Sequence, residues 1–584
     1  MDTHLSQFYG TDHVPSETGL LEIEKVAPHN ARMVRLEKDL QEAEAKIARL
    51  RKEKEDVLRM IKPLKSLSSL IRRFPREIME LIFIHSMSTT APERPNLSIC
   101  HAPLALLRVC KLWREIALTT PQLWASVELT IPAHLRHSFG NAPDAKKQQR
   151  VASFLDLFDR WLERSESYPL SIIVRRYHRD DGTTVRSLAS KLATHSRRWE
   201  SIDYDISLVP HNPFADIAAE SLPSLKYARL SAYSFPFGRH NEPRFLGILS
   251  APNLKGLQIQ VSHSSHGISK MPVNWTNLTH LFLDGDYTRR RISSQDDQLT
   301  AIDSKMLAVL EKCQNLRICS LLLHFTGNLL PEPEPQVTLP KLEALNVTGC
   351  RLQIHHLLQS ITTPRIREIH YQPFFPSSLP NEAPPFSPAL PLTSFLQRYG
   401  NRTEVLTVNL PTVPREDLQS WLECTPILKQ LTLGEEFQFA PPPPVISSST
   451  SFETPFEDPC IDFLTPKQDQ PYLCPNLKIF RCSMKAHIPV DTILAFLKAK
   501  TDRLLVGNGG IIEEVSIHQL AYDFPFGNST DAEDERVKSI REAGVRLSFK
   551  KSVDYPSNPA PTIINGPPSA SMLGPGYGVD FKLF

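Results

Sequence analysis

The chain has 584 residues, 41% of them hydrophobic, which is too much for one ordinary globular unit and predicts several domains or one long solenoid. Its 66 Lys and Arg nearly balance 64 Asp and Glu, for a formal charge of +2, so no whole-molecule field steers it toward nucleic acid or an anionic membrane. No run reaches the roughly eighteen apolar residues of a membrane span, and the polar opening MDTHLSQFYGTDHVPSE has no signal-peptide core, so a cytoplasmic or nuclear location is expected.

Residues 1–30 read as a disordered N-terminus. A heptad helix is expected over 31–64, because Met33, Leu36, Leu40, Ala43, Ile47, Leu50, Val57, Ile61 and Leu64 alternate steps of three and four, with Lys54 as the one polar intruder. Mixed charge fills the flanks, and Pro63 is expected to end the helix. The seam is open to self-association as a coiled coil or to packing back on its own chain.

From Leu70 the pattern becomes LIRRFPREIMELIFIHS, where Pro75 suits a first helical turn and Ile78, Leu81, Ile82 and His85 recur at helical spacing. After a polar loop, TTAPERPN, a second amphipathic helix is expected to carry Leu106, Val109, Cys110, Trp113 and Ala117 and to stop near Pro121.

Beyond residue 150 one unit repeats: a short helix, a Pro, Asn or polar turn, then L-x-x-L-x-L. Ten predicted strands begin at Trp199, Leu225, Leu254, Leu278, Leu316, Leu342, Ile366, Thr403, Leu428 and Leu477. Most lie about 24 to 29 residues apart, near the period of leucine-rich repeats. The 50 prolines gather between units, at Pro331 to Pro335, Pro373 to Pro391 and Pro441 to Pro444. The tail over 551–584 is rich in Pro, Gly and Ser and is expected to be disordered.

Within each unit the later apolar pair points into the core, so the residues just before each member line the opposite face. Those are Tyr227, Arg229, Gln258, His280, Phe282, Asn346, Glu368, His370 and Arg481.

The segment FPREIMELIF at residues 74–83 resembles the F-box opening L-P-x-E-I-L-x-x-I-F, and VCKLWREIA with TPQLW resembles its second half. With the heptad helix before it, the layout resembles the F-box proteins abundant in mushroom-forming fungi, which often end in divergent leucine-rich repeats. LEALNVTGCRL at Leu342 to Leu352 is similar to the cysteine-bearing repeat of that family; other units lack the Asn or Cys at that place, which puts the usual inter-repeat hydrogen-bond ladder in doubt. The resemblance implies an α then α/β chain: heptad helix, helical F-box over 68–125, then over 126–550 a leucine-rich-repeat-like solenoid with a curved parallel sheet.

The resemblance also implies a function. An F-box holds a Skp-type adaptor and, through it, cullin and RING subunits; the repeats hold a client protein whose identity the sequence leaves open. Carried over by position, the adaptor contacts are Phe74, Pro75, Ile78, Met79, Ile82, Phe83, Leu107, Val109, Cys110 and Trp113, with Phe74 and Met79 departing from the aliphatic residues usual there. The chain would be a substrate receptor of an SCF-type ubiquitin ligase, or alternatively an F-box and leucine-rich-repeat scaffold acting outside a ligase. It is not expected to be an enzyme.

No motif points to other chemistry. His178-Arg179-Asp180 lacks the rest of a kinase set, and Gly507, Gly509 and Gly510 lack a Walker lysine. The pairs His355/His356 and His263/His266 lack further ligands, so no metal or cofactor is expected. Nine scattered cysteines fit reduced, buried thiols.

Overall fold

The computed structural model describes residues 27–67, 70–87, 100–130, 145–175, 183–205, 217–232, 246–261, 271–285, 302–323, 336–374, 391–408, 415–434, 473–482, 490–504, 512–520 and 535–552, with isolated positions between them. The polar loop after Met87, the three proline clusters for the most part, the tripeptide at His178, the pair His263/His266, the glycines after Val506 and the tail beyond Ser552 lie outside the described residues. The chain divides into two compact units, residues 1–82 and 83–584.

In the first unit, α1 (Ala27–Leu67) is a single helix of 41 residues. It begins inside the stretch expected to be disordered and runs through Pro63 to Leu67. A proline removes one i to i−4 bond. That loss is small beside the bonds of so long a helix, and only the final turn lies beyond it. A short 3-10 turn (Leu70–Arg73) then leads to α2 (Arg76–Ser86), inside which the unit division falls.

The second unit continues with α3 (Lys111–Leu118) and a 3-10 turn at Pro121–Trp124, and then builds one sheet of fourteen strands. Its strands are β1 (Ser126–Thr130), β2 (Leu170–Arg175), β3 (Trp199–Asp205), β4 (Tyr227–Ala232), β5 (Gly256–Val261), β6 (His280–Gly285) and β7 (Ile318–Leu323). A two-residue strand, β8 (Val337–Thr338), pairs outside the main sheet with β10 (Ile361–Thr362). The main sheet continues through β9 (Ala344–Cys350), β11 (Glu368–Phe374), β12 (Val405–Val408), β13 (Gln430–Leu433), β14 (Ile479–Cys482), β15 (Glu514–Leu520) and β16 (Arg546–Ser552). Spatial order equals chain order and the pairings are parallel.

Parallel neighbours need a crossover between them, and here helices supply several. These are α4 (Ala145–Arg164), α5 (Thr183–Ala193), α6 (Leu246–Leu249), α7 (Ile302–Lys312), α8 (Arg351–Ser360), α9 (Pro391–Tyr399), α10 (Arg415–Glu423), α11 (Val490–Leu504) and α12 (Glu535–Glu542). The result is a solenoid-like parallel α/β unit, the coarse architecture expected.

All ten predicted strands are present, each opening later than its leading residue except β3. The leading leucines, such as Leu225, Leu278, Leu316 and Leu428, sit in the turn before the strand and are fully buried there. Four strands beyond the ten predicted, β1, β2, β15 and β16, extend the sheet at its two ends.

Register aligns the repeats. One row runs from Ile202 through Leu257, Leu345 and Ile369 to Val515, and another from Tyr204 through Ile259 and Tyr371 to Ile517. Both rows are buried. They face the helices: the Tyr371 ring lies 5.6 Å from Trp421 of α10, and Phe480 lies 5.5 Å from Phe496 of α11.

The turns are stitched by asparagines that precede the leading leucines. Asn253 Nδ2 donates to the Pro223 carbonyl at 2.8 Å, Asn277 to Pro252 at 3.1 Å, Asn315 to Thr276 at 2.8 Å and Asn476 to Pro426 at 3.4 Å. The inter-repeat ladder in doubt from the post-strand positions is thus made one turn earlier, where P-N-L, T-N-L and Q-N-L recur. Asn315 also accepts from Lys341 at 2.7 Å, so Asn315→Ala removes links to both neighbouring turns. It should lower stability by about 1 kcal/mol, read as a shifted urea midpoint with an unchanged slope.

Candidate functional site

The first candidate surface is built on α2. Its first intrahelical bond runs from the Met79 N–H to the Pro75 carbonyl at 3.1 Å, so Pro75 stands where its missing N–H costs nothing. Arg76 and Glu80 pair at 2.9 Å one turn apart. Met79 and Phe83, also one turn apart, are buried. Ile78 and Ile82, one position earlier around the helix in each case, are 42% exposed, with Leu81 beside them at 50%. Phe74 and Pro75, just before the helix, are exposed as well.

This sorts the expected adaptor contacts. Phe74, Pro75, Ile78 and Ile82 are accessible, while Met79 and Phe83 are buried. The reason is periodicity: Met79 and Phe83 sit about 100° around the helix from Ile78 and Ile82, so one edge of the apolar side turns inward while the other stays out. Leu81 was missing from the expected set, although it stands three residues from Ile78.

The second half is not one helix from Leu106 to Ala117. It breaks at Cys110, whose extended backbone (φ −159°, ψ 173°) separates the 3-10 turn Leu106–Arg108 from α3. Cys110 Sγ accepts the Trp113 N–H at 3.5 Å and so caps the new helix. Val109 and Cys110 are exposed and Leu107 is half-buried. Trp113 is half-buried too, its ring 4.8 Å from that of Phe83, so much of it is spent on packing inside the second unit. Leu112, also absent from the expected set, is exposed.

The segment TPQLW then ties α3 to the sheet. Trp124 and Trp161, from the Pro121–Trp124 turn and α4, are both fully buried, with rings 5.0 Å apart and nearly perpendicular. Trp124 Nε1 donates to the Ala117 carbonyl at 2.8 Å, and Trp161 Nε1 to the Trp124 carbonyl at 2.8 Å. The Arg164 guanidinium covers the Trp124 ring at 4.7 Å. Nothing in the repeat pattern announces this junction, because Trp161 lies ahead of the first predicted strand.

The second candidate surface is the sheet face turned away from the helices. Register places Tyr227, His280 and Glu368 in one row, and Arg229, Gln258, Phe282, Asn346, His370 and Arg481 in another. All nine therefore share the predicted face. Their accessibility differs from expectation: Arg229, Gln258, His280 and Phe282 are buried, and the others are half-buried.

Three groups form along it. Arg229 pairs with Asp203 at 3.2 Å, and the Tyr227 and His280 rings meet edge to face at 6.2 Å. Further along, His370 Nε2 lies 2.8 Å from Glu368, and that hydrogen bond holds the Glu368 carboxyl below its ordinary range. Toward the end, Arg481 and Arg546 both address Glu514, at 3.2 Å and 3.7 Å. Gln258 Oε1, Asn346 Oδ1 and Thr407 Oγ1 are buried and find no hydrogen-bond partner among the described residues, the kind of unmet polar capacity that a bound chain can satisfy.

Beside this face, charges pair across neighbouring turns: Lys226 with Glu200, Arg317 with Glu343, Lys429 with Glu404 and Lys478 with Glu513, all within 2.7 to 2.9 Å. Opposite signs cancel along the strip, which offers no single-sign path for a nucleic-acid backbone.

A scan against protein-family models finds no match for the chain, and neither does a search of curated proteins.

Burial, with the nearby Arg317 cation second, lowers the pKa of His280, whose Nδ1 lies 2.8 Å from the Thr279 hydroxyl. A lowered value means the unfolded chain takes up a proton that the folded chain refuses. Stability from this group is complete above about pH 6.5 and is lost as pH falls toward the folded pKa. Replacing His280 by Gln should therefore flatten the fall in thermal midpoint between neutral and mildly acidic pH, relative to the unaltered chain.

Proposed function

We propose that the chain is a substrate receptor of an SCF-type ubiquitin ligase, its F-box-like segment holding a Skp-type adaptor and its sheet holding a client protein. The observation that carries this reading is the apolar side of α2. Phe74, Ile78, Leu81 and Ile82 stay exposed while Met79 and Phe83 are buried, so a helix with an interior face of its own keeps a second, uncovered one. Exposed apolar side chains in such a row are costly in water and mark a docking surface. Val109 and Leu112 extend the same character to the second half of the segment.

The tryptophan junction supports the reading on mechanical grounds. A receptor works by raising the effective concentration of a client's lysines near a ubiquitin-charged conjugating enzyme, which needs the client held at a defined distance from the adaptor. The Ala117–Trp124–Trp161 hydrogen bonds make α3, α4 and the start of the sheet one packed body. Covalent chemistry then belongs to the other subunits, and the client rests on the face carrying Tyr227, Asn346, Glu368 and His370.

The test uses the full chain. Ile78→Glu with Ile82→Glu places two charges on the exposed side of α2, so circular dichroism and thermal midpoint should change little, while co-purification with adaptor and cullin should be lost. Met79→Glu, at an interior position, should instead lower the midpoint. Undiminished adaptor capture by the folded double variant would sink the reading, and capture of adaptor without cullin would favour a scaffold acting outside a ligase.

A further inference from the structure

A feature separate from adaptor capture is the heptad seam of α1. Leu36, Leu40, Ile47, Leu50, Val57 and Ile61 are between 36% and 63% exposed, so the seam stands open among the described residues. The neighbouring charges on the outer side pair within the helix, Lys38 with Glu42 and Arg59 with Asp56. We infer that the seam is covered by the same helix of a second copy, and that the two helices run antiparallel.

Orientation follows from which residues flank the seam. With Leu40, Ile47, Lys54 and Ile61 at one core position of the heptad and Leu36, Ala43, Leu50 and Val57 at the other, the flanking residues are Arg32, Asp39, Lys46 and Glu53 on one side and Glu37, Glu44 and Arg51 on the other. A parallel, in-register pair sets Arg32 against Glu37, which attracts. It also sets Asp39 against Glu44 and Lys46 against Arg51, both of like sign, and it stacks Lys54 on Lys54 in the core.

The antiparallel pair, centred between Ala48 and Arg49, reverses this. Its core layers are Leu36 with Ile61, Leu40 with Val57, Ala43 with Lys54, and Ile47 with Leu50. On the flanks Glu44 meets Arg51 and Lys46 meets Glu53, each twice by symmetry, while Glu37 and Asp39 face the uncharged Leu58 and Met60. No like charges meet. Lys54, the intruder in the seam, lies across from the smallest core residue, Ala43, so its aliphatic stem can fill the gap and its ammonium can reach water.

Glu44→Arg separates the two arrangements, because it opposes Arg51 in the antiparallel pair and attracts Asp39 in the parallel one. The residues three and four away, Leu40, Gln41, Ile47 and Ala48, are uncharged, so the isolated helix gains and loses no pair of its own. In sedimentation equilibrium of the full chain, we expect a dimer that Glu44→Arg weakens roughly tenfold, from two contacts turned from attraction to repulsion. Adding Arg51→Glu should restore it, and molar salt should shrink both effects. A dimer tightened by Glu44→Arg would establish the parallel form and overturn the inference. So would an unchanged dissociation constant, or a full chain that stays monomeric at every concentration reached.

Discussion

Strands of four to seven residues cannot satisfy their own backbones, and this constraint organises the second unit. Each N–H and C=O along β1 to β16 must find its partner on an adjacent strand, so repeats stand only as a stack. The stack also enforces register. A slip of one residue would carry Leu345 and Val347 out of the core and drive Asn346 into it. The same hydrogen-bond geometry that closes the sheet therefore decides which side chains reach the face where a client would rest.

Around that ladder, smaller interactions hold the turns in step. Asparagines at 253, 277, 315 and 476 bridge from one turn to the previous one, and the alternating ion pairs beside them add a weak, screened contribution. At the amino-terminal edge the ladder begins directly after the Trp124 turn. Burial of Trp124 and Trp161, each with its indole N–H satisfied by a carbonyl, makes α3 part of the core of the second unit. The other edge ends on β16, paired to β15 along its whole length.

The three candidate surfaces differ in how their apolar or polar character is left unmet. On α2 the unmet element is hydrophobic area, on the sheet it is buried polar capacity at Gln258, Asn346 and Thr407, and on α1 it is a seam with charges on both flanks. Hydrophobic area is undirected and calls for shape. Buried polar atoms call for partners in fixed places, and a charged seam calls for a sequence of matching signs. That graded demand for specificity suits a receptor with one common adaptor, one particular client and a second copy of itself.

Local pattern in the chain determined a good deal by itself. The two-residue alternation in LEALNV or IREIHY is enough to assign strands and to divide their side chains between two faces, because successive side chains in a strand must point oppositely. Heptad spacing likewise sufficed for α1, and helical spacing for α2. What only the tertiary structure decided was the fate of residues whose pattern allows two environments. Met79 and Phe83 became interior while Ile78 and Ile82 did not, Arg229 and Gln258 became buried on a face expected to be open, and Trp113 turned to Phe83. Cys110 capped a helix expected to run through it, and Pro63 failed to stop one. β1, β2, β15 and β16, outside the ten predicted strands, joined the sheet at its ends, where backbone would otherwise be unpaired. Periodicity fixes direction from a segment's own axis, whereas burial depends on what arrives from elsewhere in the chain.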